Sequence, residues 1–100
     1  MKTLAILIVA AGFALAGAPD GKAVFDAKCQ ACHGPNGEGK ASIAKMYKIE
    51  MHPLGSKEIQ AKTDEEFKTT ITAGHGKMKP VTGLNDKQVA DVIAFVRTLK

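Results

Sequence analysis

The segment Cys29–His33, with the pattern C-x-x-C-H, constrains the fold of this chain more than any other feature, because it holds both of the cysteines in a sequence of 100 residues. A C-x-x-C pair alone is found in redox dithiols, in halves of zinc sites and in local disulfides. A histidine directly after the second cysteine is typical of covalent haem attachment. We therefore expect Cys29 and Cys32 to hold one haem c by thioether bonds, and His33 to be the proximal iron ligand.

Two other uses of the motif fit the sequence less well. A structural zinc site takes four ligands, but there is no third cysteine, and His52 and His75 are far apart. A thioredoxin-like dithiol belongs to a βαβ unit, and no segment here alternates as a strand. A haem also accounts for stability, since a domain this small has a marginal core and a disulfide closing so short a loop would add little.

Residues 1–16 have the pattern of a bacterial export signal. Lys2 gives a positive start, and residues 4–16 are uninterruptedly apolar and end in A-L-A, the small-residue pattern that signal peptidase reads. We expect cleavage before Gly17, to within one or two residues, which releases a domain over 17–100 into the periplasm. An uncleaved membrane anchor is disfavoured, because the apolar run is shorter than the ~20 residues that span a bilayer.

Three segments have the apolar spacing and the end signals of α-helices. We expect these helices over 19–29, 63–74 and 85–100. The first offers Asp20 as an N-cap, and the second begins with a capping box of Thr63 and Glu66 and stops at Gly74. The third follows Asn85, and its apolar residues recur every three or four positions.

The segment 34–62 has little regular pattern. It opens with three glycines in six residues, and we assign it one short helix over 42–48. A loop of this length inside a compact domain needs something to wrap around. We therefore predict an all-α domain with three to five helices around a non-protein centre. The chain has no tryptophan and its lysines are scattered among acidic residues, so a nucleic-acid surface is not expected.

The iron needs a sixth ligand, and methionine or a second histidine are the usual choices. The candidates are Met46, Met51, Met78, His52 and His75. Met78 is favoured by its setting, AGHGKMKPVTG, in which glycines precede it and a proline follows two residues later. Such a segment cannot be helical, so it must loop back, which lets Met78 face the ring from the side opposite His33.

These features resemble the class I cytochromes c, small bacterial monohaem proteins, over nearly all of 17–100. GKAVFDAKCQACHGPNGEG is similar to the N-terminal helix and haem-binding site of that family, DVIAFVRTL to its C-terminal helix, and ITAGHGKMKP to the segment that carries the methionine ligand. The resemblance implies that the two terminal helices cross tightly, with Gly21 allowing close approach and Phe25 and Phe95 packing at the crossing.

HPLG is similar to the proline-leucine stretch of the same family, although its spacing from the haem motif is compressed here. The resemblance implies that the Pro53 carbonyl accepts a hydrogen bond from His33 and that Leu54 lies against the haem. Pro35 is the alternative acceptor, but it lies too close to His33 to turn back comfortably. The sequence also departs from the family pattern at the ligand methionine, which a lysine separates from the next proline.

The resemblance implies an electron carrier and not an enzyme, one that passes single electrons between larger redox proteins. We expect a monomer, without stable membrane insertion, that docks through Lys28, Lys77 and Lys79 near the haem edge. Two alternatives remain at this point. One is a gas-binding or peroxidatic haem protein whose iron lacks the methionine, and the other is a small subunit docked permanently on a larger enzyme.

Overall fold

The computed structural model describes residues 17–100, so the expected export signal lies outside the described residues. Within this range there are six helical segments and no strand: α1 Ala18–Lys28, α2 Gln30–His33, α3 Ala41–Tyr47, α4 Lys57–Gln60, α5 Asp64–Ala73 and α6 Asp86–Val96. The all-α prediction is confirmed. The number of segments exceeds the expected three to five because the first helix is interrupted at Cys29 and because α4 was not anticipated.

The starts of α5 and α6 follow the sequence signals, whereas α6 ends at Val96, before the predicted end at Lys100. Thr63 and Glu66 form the expected capping box, in which the Glu66 N–H donates to Thr63 Oγ1 at 3.1 Å and the Thr63 N–H donates to Glu66 Oε1 at 2.8 Å. Asn85 and Gln88 form a second capping box at the start of α6. Both helices therefore begin where the local side chains satisfy their first free N–H groups.

The start of α1 was predicted wrongly. Gly17, not Asp20, is the N-cap residue, and Pro19 lies in the first turn. Proline is tolerated there because its missing N–H has no partner within the helix anyway. The helix therefore begins three residues earlier than an Asp20 cap allows, and Asp20 becomes an acidic residue of its first turn.

Two short helices in the middle segment also differ from expectation. Helix α3 begins and ends one residue before the predicted 42–48. Helix α4 was missed; it begins after Ser56, whose hydroxyl accepts a hydrogen bond from the Ile59 N–H at 3.4 Å. One turn of helix carries too little apolar periodicity to be identified from sequence, although the serine cap was a usable signal.

The core is the crossing of α1 and α6. A Cβ atom at Gly21 would overlap the backbone carbonyl of Asp91, so only glycine allows the two backbones to come this close. Next to this contact the rings of Phe25 and Phe95 pack with their centroids 5.1 Å apart and tilted by 51°. The predicted packing through Gly21, Phe25 and Phe95 is confirmed, and the fully buried Phe25 lies at its centre.

Polar contacts attach the C-terminal end to the middle segment. The Gln60 side-chain amide donates to the carbonyls of Leu54 at 2.9 Å and Val96 at 3.0 Å. The Arg97 guanidinium donates to the Gln60 carbonyl at 2.8 Å and lies 4.5 Å from the centroid of the Phe67 ring. These contacts hold residues 54–62, which include α4, against α5 and α6.

Truncating Phe95 to alanine should destabilise the domain by ~3–5 kcal/mol while the haem stays attached, because a buried aromatic ring is replaced by a cavity. Chemical denaturation followed by helical circular dichroism measures this. The control is Met46→Ala, since Met46 is 62% exposed, and it should stay within ~0.5 kcal/mol of the parent protein. A Phe95→Ala effect below ~1 kcal/mol would contradict the packing.

Candidate haem-binding site

The six helices surround one large, mostly apolar cavity of about 1180 Å³. All six contribute lining residues, and the apolar side of α6 supplies Val92, Ile93 and Val96. This volume exceeds the ~300–1000 Å³ of typical small-molecule pockets. A domain of this size therefore has room for a large planar cofactor, in line with the predicted wrapping of the chain around a non-protein centre.

The C-x-x-C-H motif lies on the wall of this cavity. Helix α1 ends at Lys28, and the short helix α2 then turns Cys29, Cys32 and His33 toward the cavity, which all three line. The His33 N–H donates to the Cys29 carbonyl at 3.0 Å, which keeps the motif in one helical turn. Both thiols are free, as thioether attachment requires.

The loop after the motif is fixed by its backbone. Gly34 ends α2 with φ +83° and ψ 163°, a combination that only glycine adopts readily. The chain then turns back, so that the Gly39 N–H donates to the His33 carbonyl at 2.7 Å and the Lys40 N–H donates to the Cys32 carbonyl at 3.1 Å. These bonds hold the two motif residues from their C-terminal side.

The His33 imidazole has the properties of a ligand that is incompletely satisfied in the protein alone. Burial lowers its pKa, because the charged form is poorly solvated there, so the ring is neutral, as metal ligation requires. Its Nδ1 atom is buried and has no hydrogen-bond partner within residues 17–100. An unpartnered buried polar atom of this kind costs about 1–3 kcal/mol, and a ring that held the iron through Nε2 would still need an acceptor at Nδ1.

The burial of the cysteines is unequal. Cys29 is half-buried and Cys32 is exposed. Burial, together with the neighbouring Cys32, raises the pKa of the Cys29 thiol to about 11. Cys29 is therefore a poor thiolate at neutral pH, which argues against a reactive redox dithiol at this site.

The proline-leucine stretch is placed only partly as expected. Leu54 lines the cavity, and its N–H donates to the Gly37 carbonyl at 2.8 Å. Pro53 does not line it, and its carbonyl accepts from the Ser56 N–H at 2.9 Å at the start of α4. The structure thus does not bring the Pro53 carbonyl into a hydrogen bond with His33. The Pro53 carbonyl oxygen can accept a second hydrogen bond through its other lone pair. A hydrogen bond from His33 to this oxygen therefore stays a prediction.

The structure places four of the five candidates for the sixth ligand at the cavity. Those that line the cavity are Met51, His52, His75 and Met78. Met46 does not line it and is largely exposed. His52 is engaged by carboxylates, with Nδ1 3.0 Å from Glu58 Oε1 and Nε2 3.5 Å from Glu50 Oε1. His75 and Met78 both lie in the loop that the sequence analysis singled out, and Met78 is the residue that it favours.

Met78 is presented by a tight hairpin. His75 and Met78 exchange backbone hydrogen bonds of 2.9 and 2.8 Å, and Gly76, with φ +57°, takes the first position of the two-residue turn between them. The Val81 N–H donates to the Ile71 carbonyl at 2.8 Å and returns the chain to α5.

Gly74 lets this hairpin fold back on the end of α5. Its φ is +83°, and a Cβ there would lie 2.8 Å from the Met78 carbonyl oxygen and 2.9 Å from Pro80 Cδ. The predicted helix stop at Gly74 is confirmed, since α5 ends at Ala73. The same glycine thus both ends the helix and positions the methionine loop.

Charged side chains lie around the cavity. Lys28, Lys77 and Lys79 all line it, as their positions beside Cys29 and Met78 led us to expect. The sequence analysis did not anticipate the carboxylates on the same lining, Glu50, Glu58, Glu65 and Glu66, or the apolar contributions of Tyr47, Ile59 and Ile71. These residues come from α3, α4 and α5 and their flanking segments, and only the tertiary arrangement brings them together.

The chemistry of the site defines a class of protein. Between Gly17 and Lys100 no group of three or more His, Cys, Asp and Glu side chains is arranged to hold a metal ion, so a zinc site has no support there. Two free thiols, a neutral, half-buried imidazole and a large, mostly apolar cavity instead define a c-type haem protein with an all-α fold.

Comparison with known families agrees with this class. The family model for Cytochrome c matches residues 18–100, and the chain belongs to the cytochrome c family. It is a small monohaem protein that binds haem c covalently with its iron and carries electrons. No curated protein sequence matches the chain.

The mature protein should exceed its polypeptide mass by one haem, and the haem should survive acid-acetone extraction, because two thioether bonds hold it. Intact-mass spectrometry before and after extraction measures this. Cys32→Ser should leave one thioether and a haem that is still retained, whereas changing both cysteines to serine should release it. Haem that is extracted from the unaltered protein would rule out the covalent site.

Proposed function

We propose that this protein is a bacterial periplasmic carrier of single electrons in which His33 and Met78 ligate the iron of one haem c. The observation that carries the proposal is that the C-x-x-C-H motif and the Met78 hairpin line the same cavity. When bound, the haem supplies an iron that alternates between ferric and ferrous states, at a potential that a Met/His pair raises.

The protein groups around the cavity do three things in this function. Cys29 and Cys32 would hold the haem at the end of α1, and His33 and Met78 would ligate its iron. Apolar side chains such as Leu54 and Phe67 exclude water from the site, which also favours the uncharged thioether ligand. With both ligands supplied by the protein, the iron would have no position left for a substrate, which supports transfer of electrons without catalysis.

The proposed location is supported by the pattern of residues 1–16, and the proposed partners by the lysines beside the cavity. The export pattern of residues 1–16 supports cleavage before Gly17 and release into the periplasm. Among residues 17–100 no helix is both long and apolar enough to cross a membrane. We propose a monomer that meets larger redox proteins as donor and acceptor, and that presents Lys28, Lys77 and Lys79 to them beside the cavity.

The ferric protein should show the weak far-red band of sulfur-to-iron charge transfer, and Met78→Ala should abolish it. Visible and near-infrared spectra of the purified protein measure this. Met46→Ala and Met51→Ala should both keep the band. Met51 is the sharper control, because it also lines the cavity; loss of the band in Met51→Ala would assign the ligand to Met51.

A backbone variant tests the same ligation without touching the sulfur. Gly74→Ala should weaken the far-red band, since its Cβ collides with the Met78 carbonyl and with Pro80. Gly76→Ala is the matched control, because a Cβ there meets nothing within 4 Å. If both variants weakened the band equally, the strain of alanine at a positive φ would explain the loss. Crowding at Gly74 would then not be its cause.

The rate of electron transfer to an acidic redox partner should fall as ionic strength rises, because the Debye length shrinks from ~30 Å at 0.01 M to ~8 Å at 0.15 M. Stopped-flow kinetics measures the second-order rate. Changing both Lys77 and Lys79 to glutamate should flatten the salt dependence.

Lys57→Glu serves as the control for this docking face, since Lys57 does not line the haem cavity, and it should change the salt dependence less. A rate that is indifferent to salt would contradict docking by charge. Equal effects at Lys57 and at the lysines beside Met78 would place the docking face elsewhere.

A further inference from the structure

Asp91 is a charged side chain in the core of the described domain. It lies on α6 at the crossing with α1, and its side chain is only 3% exposed. A buried carboxylate is costly unless it is both paired and hydrogen-bonded. Asp91 meets this need with two donors: Lys87 Nζ lies 2.7 Å from Oδ2, and the Gly17 N–H donates to Oδ1 at 2.9 Å.

The second donor is the nitrogen at which we expect the export signal to be removed. Gly17 is the N-cap residue of α1, and its carbonyl accepts from the Gly21 N–H at 3.0 Å. Glycine has no side chain that could cap the helix itself. The nitrogen instead points across the crossing to Asp91 on α6. Cleavage before Gly17 would convert this amide nitrogen into a free α-amino group.

We infer that removal of residues 1–16 creates an α-ammonium group on Gly17 that forms an ion pair with the buried carboxylate of Asp91. Removal of the export signal then stabilises the crossing of α1 and α6, and the haem motif begins directly after α1. The inference rests on the proposed cleavage site, but not on the identity of the sixth ligand or of the redox partners. An amide offers Asp91 one neutral donor, whereas an ammonium offers three donors and a full positive charge, and charge-assisted hydrogen bonds are the stronger kind.

The charges around Gly17 favour this ion pair. The Gly17 N–H donates to the Asp91 carboxylate, and Lys87 Nζ lies between this carboxylate and that of Asp20, 2.7 Å from Asp91 and 3.5 Å from Asp20. One negative charge of this group is therefore left over, and the α-ammonium neutralises it. The positive end of the helix dipole repels an ammonium group at the N-terminus of a helix. The Asp91 carboxylate offsets this repulsion.

The pH dependence follows from linkage. An α-amino group has a pKa of about 7.7–8.0 in an unfolded chain, and the carboxylate of Asp91 should raise this pKa in the folded protein. The stabilisation is then complete below the unfolded pKa and is lost as pH rises through the folded pKa. Lys87 stays protonated across this range, since hydrogen bonding to Asp91 raises its pKa further.

The test compares two forms of the haem-loaded mature protein after its N-terminus has been identified by intact mass. One form keeps the free amine. The other is acetylated at the α-amino group while unfolded near pH 6.5, where lysines with a pKa of about 10.4 are protected by their charge. Acetylation removes the charge but keeps one N–H on Gly17. Denaturant unfolding of both forms is then measured from pH 6 to pH 10.

At pH 7 the free-amine form should have an unfolding constant roughly tenfold smaller than the acetylated form, which corresponds to an α-amino pKa raised by about one unit. The advantage should disappear by about pH 10, above the raised pKa. Asp91→Asn should abolish the difference between the two forms. Asp26→Asn is the control, because it removes the exposed ion pair with Lys22 and should leave the difference intact.

Three results would overturn the inference: a mature chain that does not begin at Gly17, a ratio below about two at pH 7, or a ratio that survives in Asp91→Asn. If Asp91→Asn does not fold, an NMR titration of the Gly17 α-carbon in the unaltered protein decides the question. A raised α-amino pKa supports the ion pair, and a pKa at the unfolded value of about 7.7–8.0 rules it out. The far-red band is read separately, so failure here is distinct from failure of the proposed ligation.

Discussion

The close crossing of α1 and α6 is the contact on which the rest of the structure depends. It exists because Gly21 has no side chain where the backbone of Asp91 passes. The crossing fixes the direction of α1, and the haem motif begins at the residue after α1 ends. It also turns the apolar side of α6 toward the same space. One backbone contact therefore sets both the position of the attachment residues and one wall of the cavity that they face.

The remaining walls come from α3, α4, α5 and the loops beside them, and glycines set the shape of those loops. Gly34 allows the chain to reverse directly after His33, and Gly74 allows the Met78 hairpin to fold against the end of α5. Both residues have positive φ, which other residues adopt only at a cost. Side-chain contacts then close the structure, with Gln60 and Arg97 joining the middle segment to the C-terminal helix. A haem in this cavity would add the apolar core that the chain itself is too short to supply.

Agreement between sequence and structure was good where a capping box or a helix-stop glycine marked the end of a helix. The capping boxes at Thr63 and Asn85 and the helix stop at Gly74 depend on residues three or four apart, and the helices begin and end there. Asp20 was a wrong prediction for the N-cap, since aspartate is favourable inside the first turn of a helix as well as at its cap. The N-cap residue is Gly17, and its N–H donates to Asp91, which is distant in the sequence.

By itself, the sequence determined the attachment chemistry and the helical class. Thioether spacing, an adjacent imidazole and a 3.6-residue apolar period are all set within a few neighbouring residues. Only the tertiary structure decided which distant groups share the cavity, which of the candidate ligands line it, and that Asp91 is buried opposite Gly17. These contacts join residues dozens of positions apart. Their distances depend on how the helices pack, and helix packing is not encoded in any short stretch of sequence.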